Sequence, residues 1–143
     1  STPIKSSAAS DVYKRQVTDH APHAAHEKER EFELAPFGMT GLETSLGVIL
    51  TYLVRPGFIS YERMVELMAI APREILGLDP LSLKVGSCAD LTIFDPELAW
   101  TVSADNMYSK AKNSGFLGFD LVGRATDVFV GGSLTMKEGR GVD

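Results

Sequence analysis

The stretch Asp19-His20-Ala21-Pro22-His23, with Pro36-Phe37-Gly38 and Gly41-Leu42-Glu43-Thr44 behind it, decides how this chain is read. All three histidines of the chain, His20, His23 and His26, fall within seven residues. An acid, a turn-making proline and spaced imidazoles suit a metal-assisted site at the end of a strand. Asp19 is the candidate metal ligand and proton carrier, because a carboxylate can take a proton from an activated water and return it to a leaving nitrogen. His23 is suited to pair with an anionic group. So are the backbone N–H groups around Phe37-Gly38, where glycine permits close approach. On the residues alone a plainer reading stands beside this one. D-H-x-x-H is not H-E-x-x-H, and its spacing selects no metal. Asp19 serves equally well as a turn cap, and His26 reads as a loop residue.

Upstream, Val17-Thr18-Asp19 is expected to be the last turn of a strand. In an α/β barrel such strand ends point into the active site. The residues before it, Tyr13-Lys14-Arg15-Gln16, are too polar for a buried parallel strand, which runs near-continuously in Val, Ile and Leu. Residues 1–10 are small and polar without periodicity, and residues 11–16 have no apolar face at period two or 3.6. They read as foreign sequence joined at about Val17; a disordered leader is the plainer alternative.

Downstream, residues 24–38 are expected to be a loop that begins with the charge run Glu27–Glu31. Thr40-Gly41-Leu42-Glu43 fits a capping box. Leu42, Leu46, Ile49, Leu50 and Leu53 then recur at helical spacing, and Arg55-Pro56-Gly57 ends the run. A second helix starts near Ser60, with Met64, Leu67 and Met68 as core. Pro72 interrupts it or opens a short new helix, and Gly77 is placed as a C-terminal cap. Beyond Asp79-Pro80 the pattern turns to β. Residues 89–94 read as a strand ending at Asp95-Pro96, and Trp100-Thr101-Val102 as a second one. Val128–Val130, Gly131-Gly132 and Leu134–Met136 read as a hairpin whose two-residue turn needs positive φ. The expected division is a helical part, 17–80, and a β part, 81–143.

Composition sets bounds. The chain has 143 residues, 44% of them hydrophobic, enough for one domain with a core. A net charge of −5 with dispersed Lys and Arg argues against nucleic acid and anionic membranes. No apolar run approaches the ~20 residues of a membrane helix. The single Cys88 excludes an internal disulfide and fits a reducing compartment. With no charged-then-apolar leader, the expectation is a cytoplasmic protein.

The run Thr18–His23, followed by Glu27-Lys28, Phe32-Glu33, Ala35–Gly38 and Gly41–Thr44, closely resembles the dihydroorotase family of the amidohydrolase superfamily, in its long bacterial type. The likeness continues through Ala71–Leu78, Gly86–Leu91 and Ser109–Asn113 and covers roughly residues 17–140. The resemblance implies a zinc-dependent hydrolase that interconverts N-carbamoyl-L-aspartate and L-dihydroorotate in pyrimidine synthesis. Asp19 would be its metal-ligating general base and acid, His23 would hold the substrate carboxylate, and Phe37 and Gly38 would give backbone contacts to the substrate. The implied fold is α/β: the C-terminal fragment of a TIM-like (β/α)8 barrel, plus part of a small β domain after about residue 80. The implied partners are a small-molecule substrate and, for the parent, a homo-oligomer or an aspartate transcarbamoylase complex.

Departures from the family pattern bear on activity. The family's His-x-His pair, bridging group and further histidine ligands lie upstream of the motif and are absent here. Gly115 stands where relatives often carry Pro. A barrel takes ~250 residues. The chain by itself is therefore expected to hold no zinc and to have no activity, and to expose Leu42, Leu46, Ile49 and Leu53. Two alternatives stand: a hydantoinase, dihydropyrimidinase or allantoinase, and a non-catalytic dihydroorotase-like subunit supporting another enzyme.

Overall fold

A computed structural model describes residues 15–80 and 82–142. The reading of residues 1–14 as a leader lies outside the described residues. The chain order is one helical turn, two longer helices, then an antiparallel sheet.

Helix α1 is the single turn Ala25–Lys28, set inside what the sequence predicts as loop. Helix α2 is Ser45–Ile49 and continues as a π turn over Leu50–Val54. It ends where expected. The Gly57 N–H reaches Val54 O at 2.9 Å, and Gly57 takes φ +81. The predicted capping box does not form. The N-terminal flank is Thr44, without a side-chain cap, and Thr40 lies four residues outside, buried, its hydroxyl unpartnered among the described residues. Tertiary contact has taken both residues: the Thr40 N–H bonds Asn113 O, and the Glu43 carboxylate turns to another segment.

Helix α3 begins at Tyr61–Val65. Ser60 caps it, accepting the Arg63 N–H at 3.2 Å. A π turn, Glu66–Ile70, then leads into helix α4, Ala71–Ile75. The π turn lies directly before Pro72, whose ring would clash with the carbonyl four residues back. Gly77, at φ +65, closes α4. The Leu78 N–H bonds Arg73 O and the Gly77 N–H bonds Glu74 O, the paired bonds of a Schellman ending.

The sheet order is β1-β2-β3-β4, all antiparallel: β1 Leu91–Thr101, β2 Asp120–Val130, β3 Ser133–Lys137 and β4 Arg140–Gly141. Asp95-Pro96 is not a strand end, and residues 100–101 finish the same strand. The register jumps between Asp95↔Arg124 and Ala99↔Val122. Pro96, which has no N–H for the ladder, sits in that bulge, and the Glu97 N–H folds back onto Asp95 Oδ1 at 2.8 Å. The Gly131-Gly132 hairpin forms as predicted, with φ +57 and +83.

Helix α2 lies against β2. A Cβ on Gly47 would sit 3.2 Å from Gly123 O, Leu121 Cδ1 and Trp100 Cζ2. Gly123, at φ +94, has no room for one against Leu50. Two glycines thus let the helix approach the sheet closely. Ile49, Leu50, Val54 and Met64 are buried there, with Leu46, Ile59, Met68 and Phe94 packed around them. The predicted exposure of Ile49 is therefore corrected: it is 5% exposed because β2 covers its face. Leu46 is partly covered, while Leu42 and Leu53 remain exposed.

Val17–Asp19 is not a strand. The only ladder contact here is a parallel bridge between His20 and Met39. A parallel strand needs a neighbour along its length, and the described residues supply it only at that point. No helix among the described residues is long and apolar enough to cross a membrane.

Candidate functional site

Three segments meet around the histidine motif: residues 18–23, residues 36–42 and residues 107–113. The first two lie side by side. The Ala21 N–H bonds Met39 O at 2.9 Å, next to the His20–Met39 bridge. Glycine makes this approach possible. Gly38 has φ +109, and a Cβ there would fall 2.5 Å from Ala21 Cβ. A Cβ on Gly41 would fall 2.8 Å from Thr18 O.

The histidines divide their tasks. His20 Nδ1 accepts the Gly41 N–H at 3.1 Å and, more weakly, the Leu42 N–H at 3.4 Å. Its Nδ1 is thereby an unprotonated acceptor, and the ring pins one loop to the other. His23 Nε2 lies 2.9 Å from Phe37 O, so this nitrogen donates. Its Nδ1 faces Glu27 Oε2 at 3.8 Å. Glu27 also accepts the Ala24 N–H at 2.9 Å. That backbone bond, with the charges of His23, His26 and Arg30 behind it, holds the Glu27 carboxyl below its ordinary pKa. His26 is exposed on α1, as a loop residue would be.

Asp19 has φ +46, a left-handed conformation that few residues other than Gly, Asn and Asp adopt. Its side chain is exposed and bonds no other described residue. The carbonyl of Phe37 is taken by His23, and that of Gly38 by Lys28 Nζ at 3.2 Å. The N–H groups of Phe37 and Gly38 bond nothing among the described residues. Among the described residues these two adjacent donors are unpaired, in the loop whose Phe37 carbonyl meets the His23 ring.

Residues distant in sequence brace this arrangement. Asn113 Oδ1 accepts the His23 N–H at 3.1 Å, and its Nδ2 donates to Ala21 O at 3.0 Å and to Gly38 O at 3.4 Å. The Glu43 carboxylate accepts the N–H groups of Tyr108 and Ser109 at 2.6 and 2.8 Å, anchoring the segment that carries Asn113. Sequence reading assigns Asn113 no role and gives Glu43 only the capping-box role that the structure does not show. Asn113 belongs to a recognisable run, but its side-chain partners lie 75 to 92 positions away. Periodicity and spacing are blind to such pairs.

A zinc ion needs three or four ligands in tetrahedral array. Among the described residues no group of three or more His, Cys, Asp and Glu side chains is placed to hold a metal. His20 Nδ1 and His23 Nε2 are engaged by protein groups, His23 Nδ1 faces Glu27, and Asp19 bonds no other described residue. The described residues do not fit a metal centre by themselves, and no chemical step is derived through one.

No protein-family profile matches the chain. Individual relatives do. The chain is 45% identical to the dihydroorotase of Chlorobaculum tepidum, over 85% of this chain and 28% of that one. It is 44% identical to the dihydroorotase of Geobacter metallireducens, over 95% of this chain and 32% of that one. Among solved structures, the L-hydantoinase (dihydropyrimidinase) of Arthrobacter aurescens superimposes with a TM-score of 0.83 at 34% identity, over 91% of this chain and 30% of that one. The chain therefore matches a fragment of the amidohydrolase fold, as expected from the sequence, and spans about 30% of the length of the relatives it matches. With 44–45% identity along most of its residues, the chain belongs to the dihydroorotase family.

Proposed function

We propose that this chain supplies the proton carrier and the carboxylate-binding loops of a dihydroorotase, which interconverts N-carbamoyl-L-aspartate and L-dihydroorotate. The observation that carries the reading is the junction of His23 with Phe37-Gly38, in a chain 44–45% identical to dihydroorotases. The N–H groups of Phe37 and Gly38, unpaired among the described residues, hold the substrate carboxylate together with His23, whose Nε2–H is shared between Phe37 O and the carboxylate. Asp19, exposed at a strained backbone position, moves the proton. In the hydrolytic direction water adds to the ring amide carbon, the C–N bond breaks, and the proton lost by the water passes through Asp19 to the leaving nitrogen. Zinc belongs to the complete enzyme, with its remaining ligands in the part of the relatives' length that this chain does not span.

The proposed division of labour is barrel end for residues 17–80 and small β domain for residues 81–143. A cytoplasmic enzyme, homo-oligomeric or joined to aspartate transcarbamoylase, fits the same reading. A second reading, hydantoinase or dihydropyrimidinase, draws on the 34% identity to L-hydantoinase. The higher identity to dihydroorotases favours the first.

The test is a chimera in which residues 17–143 replace the matching segment of the Chlorobaculum tepidum enzyme. A folded chimera should cyclise carbamoyl-aspartate, lose that activity on Asp19→Asn, and show a raised KM on His23→Ala. Hydrolysis of hydantoins or dihydropyrimidines without turnover of dihydroorotate would move the assignment to the second reading. A folded chimera inactive on all of these would refute both.

A further inference from the structure

We propose that Asn113 is a positioning residue: its carboxamide locks His23 and the Phe37-Gly38 backbone into one rigid unit for binding the substrate carboxylate. The inference rests on the functional reading above and extends it to a residue from the other end of the chain.

The geometry is specific. One side-chain amide bonds both loops of the site. Its oxygen takes the His23 N–H at 3.1 Å, its nitrogen gives to Ala21 O at 3.0 Å, and the same nitrogen reaches Gly38 O at 3.4 Å. The Asn113 carbonyl also accepts the Thr40 N–H at 3.1 Å, just past Gly38. An amide is the right chemistry. The oxygen meets a donor and the nitrogen meets carbonyls, so no other side chain of this size satisfies all three contacts. Apart from Asn113, the described links between the His23 and Gly38 loops are the His23–Phe37 bond, the Ala21–Met39 backbone bond, the bonds from Gly41 and Leu42 to His20, and Lys28 Nζ, which reaches Pro36 O at 2.8 Å and Gly38 O at 3.2 Å; none of them holds the His23 backbone. Without Asn113 the two loops keep the Ala21–Met39 ladder bond but lose the clamp beside His23.

Asn113 itself is not free to drift. Glu43 holds the backbone of Tyr108 and Ser109, and Lys112 Nζ folds back to Met107 O at 2.6 Å. The clamp is thus carried by a segment that is itself tied to the start of α2. Preorganised donors lose less freedom on binding than mobile ones, and small misplacements of a binding group cost rate or affinity steeply.

The experiment uses the chimera described above. Asn113→Ala should raise KM for dihydroorotate about tenfold while kcat stays within about threefold, the pattern of lost ground-state binding. In the His23→Ala background the same change should raise KM by a clearly smaller factor, because the share of its effect carried by the His23 ring is gone while its hold on Gly38 O remains. A purely structural residue would multiply KM by the same factor in both backgrounds, and that result would overturn the proposal. So would an unchanged KM. If Asn113→Ala does not fold, Asn113→Asp decides: it keeps the size and the oxygen but loses both donors, and an unchanged KM there refutes the role. If the unsubstituted chimera turns over no dihydroorotate, the functional reading fails by itself. The clamp is then read from amide exchange in the chimera. On Asn113→Asp the His23 N–H should keep its protection, and on Asn113→Ala it should exchange at least about tenfold faster, with Val48 in α2 unchanged. Equal His23 exchange in all three proteins would overturn the clamp as well.

Discussion

Thr51 and Val122 are bonded to each other in both directions: the Val122 N–H donates to Thr51 Oγ1 at 2.8 Å, and the Thr51 hydroxyl donates to Val122 O at 3.3 Å. Val122 lies in β2 beyond the reach of β3, which pairs only with Val128–Val130. A helix side chain therefore takes the place of a missing strand and satisfies an open stretch of sheet edge. Thr51→Val keeps the shape and removes both bonds. It should destabilise the fold by about 1–3 kcal/mol, the cost of leaving backbone groups unpaired. Thr51→Ser should recover most of that. Chemical denaturation of the three proteins checks it.

Gly38 is required twice over, by its φ of +109 and by the Ala21 Cβ that a side chain would strike. Gly38→Ala should push the two loops apart and weaken substrate binding in the chimera by about tenfold or more, judged by the cost of small misplacements. The comparison is Gly57→Ala, where φ is also positive but nothing lies within 4 Å. That variant should lose only a modest amount of stability and leave KM alone.

Thr40 is 2% exposed, and its hydroxyl has no partner among the described residues. A buried, unpaired hydroxyl contributes nothing to offset its desolvation. Thr40→Val should leave the chain's stability unchanged or raise it by about 1 kcal/mol. A loss of stability in the melt would show that the hydroxyl has found a partner.

Glu27 caps α1 through the Ala24 N–H, and its folded-state pKa is lowered, first by that bond. A lowered carboxyl pKa means the contribution is complete above the ordinary glutamate value and is lost as pH falls through the lower, folded-state value. Acidification across that window should release the Ala24 amide, and Glu27→Gln should remove the pH dependence. The Ala24 amide shift in a pH titration reads both.

How much was legible in the sequence follows from the range of each signal. The helix start near Ser60, the Gly77 ending and the Gly131-Gly132 turn were readable because each is settled within a few residues: a hydroxyl three positions from the N–H it accepts, and glycines where φ must be positive. The family was legible for a different reason, since ordered motifs survive as text. Where local and distant partners competed, only the tertiary structure decided. Thr40 and Glu43 have the letters of a capping box, but Glu43 binds N–H groups 65 and 66 positions away and Thr40 joins Asn113. Asp95-Pro96 has the letters of a strand end, but pairing with β2 on both sides carries β1 through it as a bulge. The joining of His23, Gly38 and Asn113 has no local signature at all. A sequence states which groups are available to bond; when a residue's best partner is distant, the fold alone selects it, because only packing brings the two within about 3 Å.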